Sequence, residues 1–133
     1  PVDMTTPDWR DYLQFFGIGS AVGSIFALIV FAAAAFSLPM LVDRDVDPVT
    51  AVVTSVNAVL RNKPAMAVWA AMIVLAVAPG FALLLIGRER GAHFALAMVL
   101  LGLTLPMIGH ATWHGYRAVV DASAWPRNEH IDA

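Results

Sequence analysis

The sequence has no cysteine and little charge, and each absence excludes whole classes of protein. Without cysteine there are no disulfides, no thiolate metal sites, no iron–sulfur clusters and no covalent c-type haem attachment. Charged residues make up 14% of the chain, whereas a water-soluble domain usually has about 25%. The net charge of −2 leaves no basic surface for nucleic acid.

Long apolar runs take the place of charge. Hydrophobic residues make up 59% of the 133 residues, and the mean hydropathy is +0.72. Three stretches carry no formal charge: Tyr12–Val42, Ala65–Gly87 and Gly91–Tyr116. Each is longer than the roughly 20 helical residues that cross a hydrocarbon core. We therefore predict a single all-α membrane domain over residues 1–133, with transmembrane helices near 12–38, 65–87 and 92–118.

Prolines mark where these helices begin and bend. Pro7 suits the first position of a helix, which we expect to run to Phe36, with Pro39 as a kink or stop. Pro79 and Pro106 lie inside the second and third spans. Neighbouring helices can satisfy the carbonyls that such prolines free, so we expect kinks there and not helix ends.

A shorter helix is predicted between the first two spans. Asp47-Pro48 is a cap followed by a proline start. Apolar and polar side chains then follow the helical period on opposite faces: Val49, Val52, Val53, Val56 and Leu60 on one, and Thr50, Thr54, Asn57 and Arg61 on the other. This pattern predicts an amphipathic helix over 48–62 that lies in the membrane interface. A polar tail, 121–133, follows the third span.

The first span contains a face of small residues. Small side chains spaced four apart let helix backbones approach closely, which drives association in lipid. This helix-contact face comprises Gly19, Ser20, Gly23, Ser24 and Ala27. Its partner is either another helix of the same chain or a second polypeptide.

His110 and His114 are four residues apart and share one helix face. This spacing lets two imidazoles hold one metal or serve as two cofactor ligands. No Asp, Glu or Cys in the spans completes a metal site, so we predict neither a metal nor a cofactor and favour a structural role at the interface. A polar contact with a partner subunit, and haem, pigment or metal ligation, remain the alternatives.

Aromatic and basic side chains cluster at the predicted span ends, where amphipathic rings and cations meet headgroups. We expect contacts with lipid or with a partner at Trp9, Arg10, Arg61, Lys63, Trp113, Tyr116 and Arg117. The basic residues are also distributed unequally: one side holds Arg44, Arg61, Lys63, Arg117 and Arg127, and the other holds Arg10, Arg88 and Arg90. This distribution predicts that the interfacial helix and the C-terminus are cytoplasmic.

Three segments together resemble a known family. They are Phe36–Arg44, Ser55–Asn62 and Gly109–Arg117. The chain resembles, from Asp8 to Val120, the C-terminal half of a proteobacterial family of predicted integral membrane proteins, a domain of unknown function sometimes labelled cytochrome c oxidase subunit-like. Family members typically have about six spans, so the resemblance implies the second half of a longer chain. It brings no catalytic residues.

The sequence has no enzyme signature. It lacks a Ser/His/Asp arrangement, a P-loop and a dinucleotide fingerprint, and no charged residue lies at the centre of a span. We predict a non-catalytic accessory subunit of a bacterial inner-membrane complex, most plausibly a respiratory or photosynthetic electron-transfer assembly. Its partners would be lipids and other integral membrane subunits, in a homo- or hetero-oligomer. The alternatives are half of a transporter or channel, gated at its proline bends, and a haem-, pigment- or metal-binding protein that uses His110 and His114.

Overall fold

The computed structural model describes residues 8–86 and 91–129, which are almost entirely α-helical. The helices are α1 (Trp9–Ala34), α2 (Ser37–Asp43), α3 (Pro48–Arg61), α4 (Lys63–Ile86) and α5 (Gly91–Val119). Three segments are long and apolar enough to cross a membrane: Trp9–Asp43, which includes α1 and α2, then α4 and α5. The all-α membrane fold with three spans is thereby confirmed, and α3 is the additional helix between them.

The chain divides into two compact units, Pro1–Phe31 and Ala32–Ala133. In the first unit, α1 presents exposed side chains throughout, as a helix surrounded by lipid does. Its described start is Trp9, and the predicted start at Pro7 lies outside the described residues. The Asp11 carboxylate accepts a hydrogen bond from the Asp8 backbone N–H at 3.1 Å, which satisfies one free donor at the helix start.

In the second unit, the helical run of the first span breaks at residues 35 and 36. Pro39 lies in the first turn of α2 and has no N–H for the carbonyl of Ala35, against which its ring would also clash in a continuous helix. The break therefore comes one turn before the proline. Pro39 itself is tolerated because the first N–H groups of a helix need no partner within it. The predicted end of the first helix at Phe36 differs from the observed end at Ala34 by two residues.

The start of α3 follows the predicted cap and proline. The Asp47 carboxylate accepts from the Thr50 backbone N–H at 2.9 Å, and Pro48 is the first helical residue. The buried face of α3 consists of the small residues Ala51 and Ser55, which are both 0% exposed. The valine and leucine face is largely exposed, as expected of a surface in contact with lipid.

α4 and α5 pack against each other, and both continue through their internal prolines, Pro79 and Pro106. They pack tightly at Gly80, where an added Cβ would lie 2.6 Å from Cγ of Leu101. A side chain at this position would require Leu101 to move. Close approach at small residues is how membrane helices gain packing energy without a hydrophobic drive.

The core of the second unit lies at one end of its spans and not at their middle. Phe36 at the start of α2, Met40 of α2, Ala51 of α3 and Tyr116 of α5 are each at most 2% exposed. Ala122 of the tail is also buried there. Besides Tyr116, α4 and α5 bury only Met66, Gly80 and Ala97. The best-packed part of the unit is thus where α2, α3, α5 and the tail meet.

Candidate functional site

Two hydrogen-bond donors meet at one carboxylate oxygen of Asp43. The Tyr116 hydroxyl donates to Oδ2 of Asp43 at 3.0 Å, and Nε of Arg44 donates to the same oxygen at 2.9 Å. Asp43 is only 7% exposed and Tyr116 only 1%. A buried carboxylate is costly unless it is both paired and hydrogen-bonded, and these two donors meet both conditions. We call Asp43, Arg44 and Tyr116 the polar joint.

Helix ends position the polar joint. Asp43 is the last residue of α2, Arg44 is its C-cap, and Tyr116 lies in the last turn of α5. Arg44 has an extended backbone, and its N–H still closes the last turn of α2 by donating to the Met40 carbonyl. The hydrogen bond with Asp43 raises the pKa of the Arg44 guanidinium, so the arginine stays charged. The joint is therefore a neutral ion pair with a phenol as its third member.

The C-terminal tail lies against this joint. Nη1 of Arg44 donates to the Trp125 carbonyl at 3.0 Å. The Asp45 N–H donates to the Pro126 carbonyl at 3.0 Å, and the Asn128 N–H donates to the Asp43 carbonyl at 3.1 Å. The two backbone bonds form an antiparallel bridge between Arg44 and Arg127. The polar tail thus has a defined structural contact, which hydropathy alone does not reveal.

A polar cavity of about 230 Å³ borders the joint and is also lined by Arg117 and residues 120–123. One of its carboxylates, on Asp121, accepts from the Ser123 backbone N–H at 3.1 Å. That hydrogen bond lowers the pKa of Asp121, which is therefore ionised at neutral pH. The acidic and basic groups here neutralise one another and hold helix ends together. The chemistry of this arrangement is therefore suited to a structural role.

Ser55 occupies the break between α1 and α2. In a continuous helix the Phe36 N–H would donate to the Ala32 carbonyl, four residues earlier. Here the Ser55 hydroxyl donates to the Ala32 carbonyl at 2.8 Å and accepts from the Phe36 N–H at 3.0 Å. A side chain has thus been inserted into the helical ladder, which is a recognised cause of a break. This hydroxyl links α3 to both sides of the break in the first span.

The predicted helix-contact face lies in the first unit, along α1. Within that unit an added Cβ at Gly19 or Gly23 would meet no atom within 4 Å. Ser24 donates to the Ser20 carbonyl at 2.7 Å, so its hydroxyl is satisfied within the helix. Ala27 is exposed, like the rest of the face. The contact predicted for this face is therefore not made inside its own unit.

The predicted interfacial residues fall into two groups. Six are exposed or half-buried, in keeping with an interfacial position: Trp9, Arg10, Arg61, Lys63, Trp113 and Arg117. Arg10 lies over the Trp9 ring, 5.5 Å from its centroid. Tyr116 differs, because it is buried in the polar joint and not directed at lipid headgroups. An amphipathic ring at a span end usually finds a hydrogen-bond partner among the headgroups. The Tyr116 hydroxyl instead has a buried partner, the carboxylate of Asp43.

His110 and His114 lie side by side on α5, and both are exposed. Their Nε2 atoms are 3.1 Å apart, and their rings meet edge to face with centroids at 4.7 Å. Within residues 8–86 and 91–129 no group of three or more His, Cys, Asp or Glu side chains could hold a metal ion. The described chain thus offers two imidazoles and no third ligand.

Sequence reasoning missed the roles of Ser55 and of the Asp43–Arg44 pair. Asp43 lies in a charged stretch of the sequence, 43–47, and its distant partner, Tyr116, has no sequence signature. A signal for Ser55 did exist, because Ala51, Ser55 and Ala58 repeat small residues at helical spacing, as the face of α1 does. In α3, that spacing does mark a packed face.

Comparison with known protein families gives a match to part of the chain. The sequence model of a family described as predicted integral membrane protein (DUF2189) matches residues 5–43. The match covers α1 and α2 and ends before α3, so it is much shorter than the resemblance from Asp8 to Val120. No curated protein and no solved structure matches the chain. The chain is an integral membrane protein with three apolar helices, and its first span is similar to that family.

Proposed function

We propose that this protein is a non-catalytic accessory subunit of a bacterial inner-membrane complex. The observation that carries the proposal is the set of contacts made by the buried polar side chains. Asp43, Arg44, Tyr116 and Ser55 are all engaged in joining helix ends. The long apolar faces of α4 and α5 are left for lipid and for other membrane helices, since each helix buries only two residues.

The small-residue face of α1 supports docking onto a second polypeptide. Close approach at Gly19 and Gly23 would gain packing and weak backbone contacts, which are the main source of helix association in lipid. Within its own unit α1 has no helix to meet there. A partner helix with a similar small-residue face fits this surface best. Copies of this chain and different subunits are both chemically suitable partners.

Two narrower parts of the proposal rest on the sequence alone. The assignment to a respiratory or photosynthetic electron-transfer assembly depends on the family resemblance. The cytoplasmic placement of α3 and the C-terminus depends on the excess of basic residues on that side. The lack of cysteine makes the placement easy to test, because a single introduced cysteine is the only reactive thiol. A membrane-impermeant maleimide should label Ser123→Cys in inverted vesicles only and Asp8→Cys in right-side-out vesicles only.

Native mass spectrometry of gently solubilised membranes tests the accessory role. The expected result is a complex that contains this chain together with other integral membrane subunits, and bound phospholipid. A chain that appears only by itself, across several mild detergents, would contradict the proposal. Flux of solute or ions through sealed liposomes that contain the pure protein would favour the transporter or channel alternative.

A further inference from the structure

The two imidazoles on α5 are arranged as two ligands of one ion would be. Metal–nitrogen bonds to histidine are about 2.0–2.1 Å long, so two such bonds at tetrahedral to square angles place the nitrogens about 2.9–3.4 Å apart. The Nε2 atoms of His110 and His114 are 3.1 Å apart. This separation falls within the range for two ligands of one ion.

We propose that His110 and His114 form a binding site for one divalent transition-metal ion, with its remaining coordination positions open. Without metal, the short distance means that one ring donates Nε2–H to Nε2 of the other. Binding through both Nε2 atoms moves that proton to Nδ1 of the same ring. The charge of the pair does not change, and no proton has to leave a neutral pair.

The histidine pair lies inside a membrane helix, which makes it a candidate for function. Ionisable side chains inside membrane helices are rare, and such a residue is by default a candidate for function. Both histidines lie within the third span, and both are exposed and not packed against another helix of the described chain. Tyr116, two residues beyond His114, is engaged with Asp43. The pair is thus not occupied by the polar joint.

The ligand set determines which ions suit the site. Two imidazoles with no carboxylate or thiolate favour borderline ions, and affinity rises from Co²⁺ through Ni²⁺ to Cu²⁺ and falls again at Zn²⁺. No third protein ligand exists among the described residues. The site is therefore unlike a closed structural zinc site, which uses four protein ligands. Water, or a group from a neighbouring molecule, fills the other positions.

Copper titration of the detergent-solubilised protein, purified without a polyhistidine tag, tests the proposal. We expect one Cu²⁺ per chain, with an electron paramagnetic resonance spectrum that shows coupling to two nitrogen atoms. His110→Gln and His114→Gln should each weaken Cu²⁺ binding by more than about tenfold, the lower limit for losing even an outer partner of a metal ligand. His93→Gln and His130→Gln are matched controls and should leave both readouts unchanged.

Four results would overturn the proposal. The first is Cu²⁺ binding that survives in the His110→Gln/His114→Gln double variant. The second is a spectrum of the unaltered protein with coupling to a single nitrogen, which needs no variant to fold. The third is an absence of binding above that of the detergent buffer. A Zn²⁺ affinity higher than that for Cu²⁺ would also contradict it, because it would require ligands beyond these two imidazoles.

Discussion

The Tyr116 hydroxyl lies 3.0 Å from Oδ2 of Asp43, a residue 73 positions earlier in the chain. This bond connects the last turn of α5 to the last residue of α2. Both residues are buried. Because the tail is also bound at Asp43 and Arg44, three separate segments of the chain depend on this point.

Replacing Tyr116 by Phe should therefore destabilise the protein. The substitution keeps the ring and removes one hydrogen bond to a buried carboxylate, which is worth about 1.5–3 kcal/mol. Tyr12→Phe is the matched control, since Tyr12 is 52% exposed. The free energy of unfolding in detergent micelles measures the difference. Equal stability of the two variants would mean that the bond at Asp43 contributes nothing.

The Ser55 hydroxyl should be equally important. Ser55→Ala leaves the Ala32 carbonyl and the Phe36 N–H without their partner, and a buried polar group without a partner costs about 1–3 kcal/mol. The control is Ser24→Ala, which removes a hydroxyl bound only to its own helix and should change stability by less than about 0.5 kcal/mol. Unfolding in micelles is again the readout. A Ser55→Ala protein as stable as the control would show that the Ala32 carbonyl and the Phe36 N–H do not need the serine hydroxyl as a partner.

A side chain at Gly80 should destabilise the protein. An alanine Cβ there would overlap Cγ of Leu101, and overpacking of this kind costs about 1–3 kcal/mol. Gly102→Ala on α5 is the control, because a Cβ at Gly102 meets nothing within 4 Å. It should be neutral or slightly stabilising, since alanine favours helix. Adding Leu101→Ala to Gly80→Ala should recover part of the lost stability. If no stability is recovered, the overlap with Leu101 is not the cause of the loss.

The N-cap of α3 should make its first turn sensitive to acid. The hydrogen bond from Thr50 lowers the pKa of Asp47 in the folded protein. The stabilisation is therefore complete above the unfolded-state pKa and is lost as the pH falls through the lower, folded-state pKa. Hydrogen exchange at the Thr50 amide should accelerate over that acidic range, relative to the intrinsic rate. Asp47→Asn keeps the cap without a charge and should abolish this pH dependence. A dependence that persists in Asp47→Asn would exclude Asp47 as its origin.

The parts of the fold that follow from local chemistry could be predicted from the sequence. The three spans follow from uncharged length, and the start of α3 follows from Asp47-Pro48. The break before α2 was expected near Pro39, but it lies one turn earlier, at residues 35 and 36. Its position follows from Pro39, but the contact that fills it does not, since no local pattern links a serine in α3 to the Ala32 carbonyl in α1.

The polar joint could not be predicted for the same reason. A tyrosine near the end of a span has the composition of an interface anchor, and the sequence does not show whether its hydroxyl meets a headgroup or a carboxylate. The tail has too few apolar residues to indicate a packed position, yet backbone hydrogen bonds attach it to Asp43 and Asp45. By contrast, the spacing of His110 and His114 predicts that the two side chains lie close together. The distance between their Nε2 atoms could be obtained only from the structure.

Docking through the small-residue face of α1 is the central claim about function. Native mass spectrometry of membranes that express Gly19→Ile/Gly23→Ile, with Ala21→Ile on another side of the same helix as the control, tests it most directly. We predict that the double variant appears without partner subunits, while the unaltered protein and Ala21→Ile appear in a complex. A Gly19→Ile/Gly23→Ile protein that retains the full complex would contradict the account.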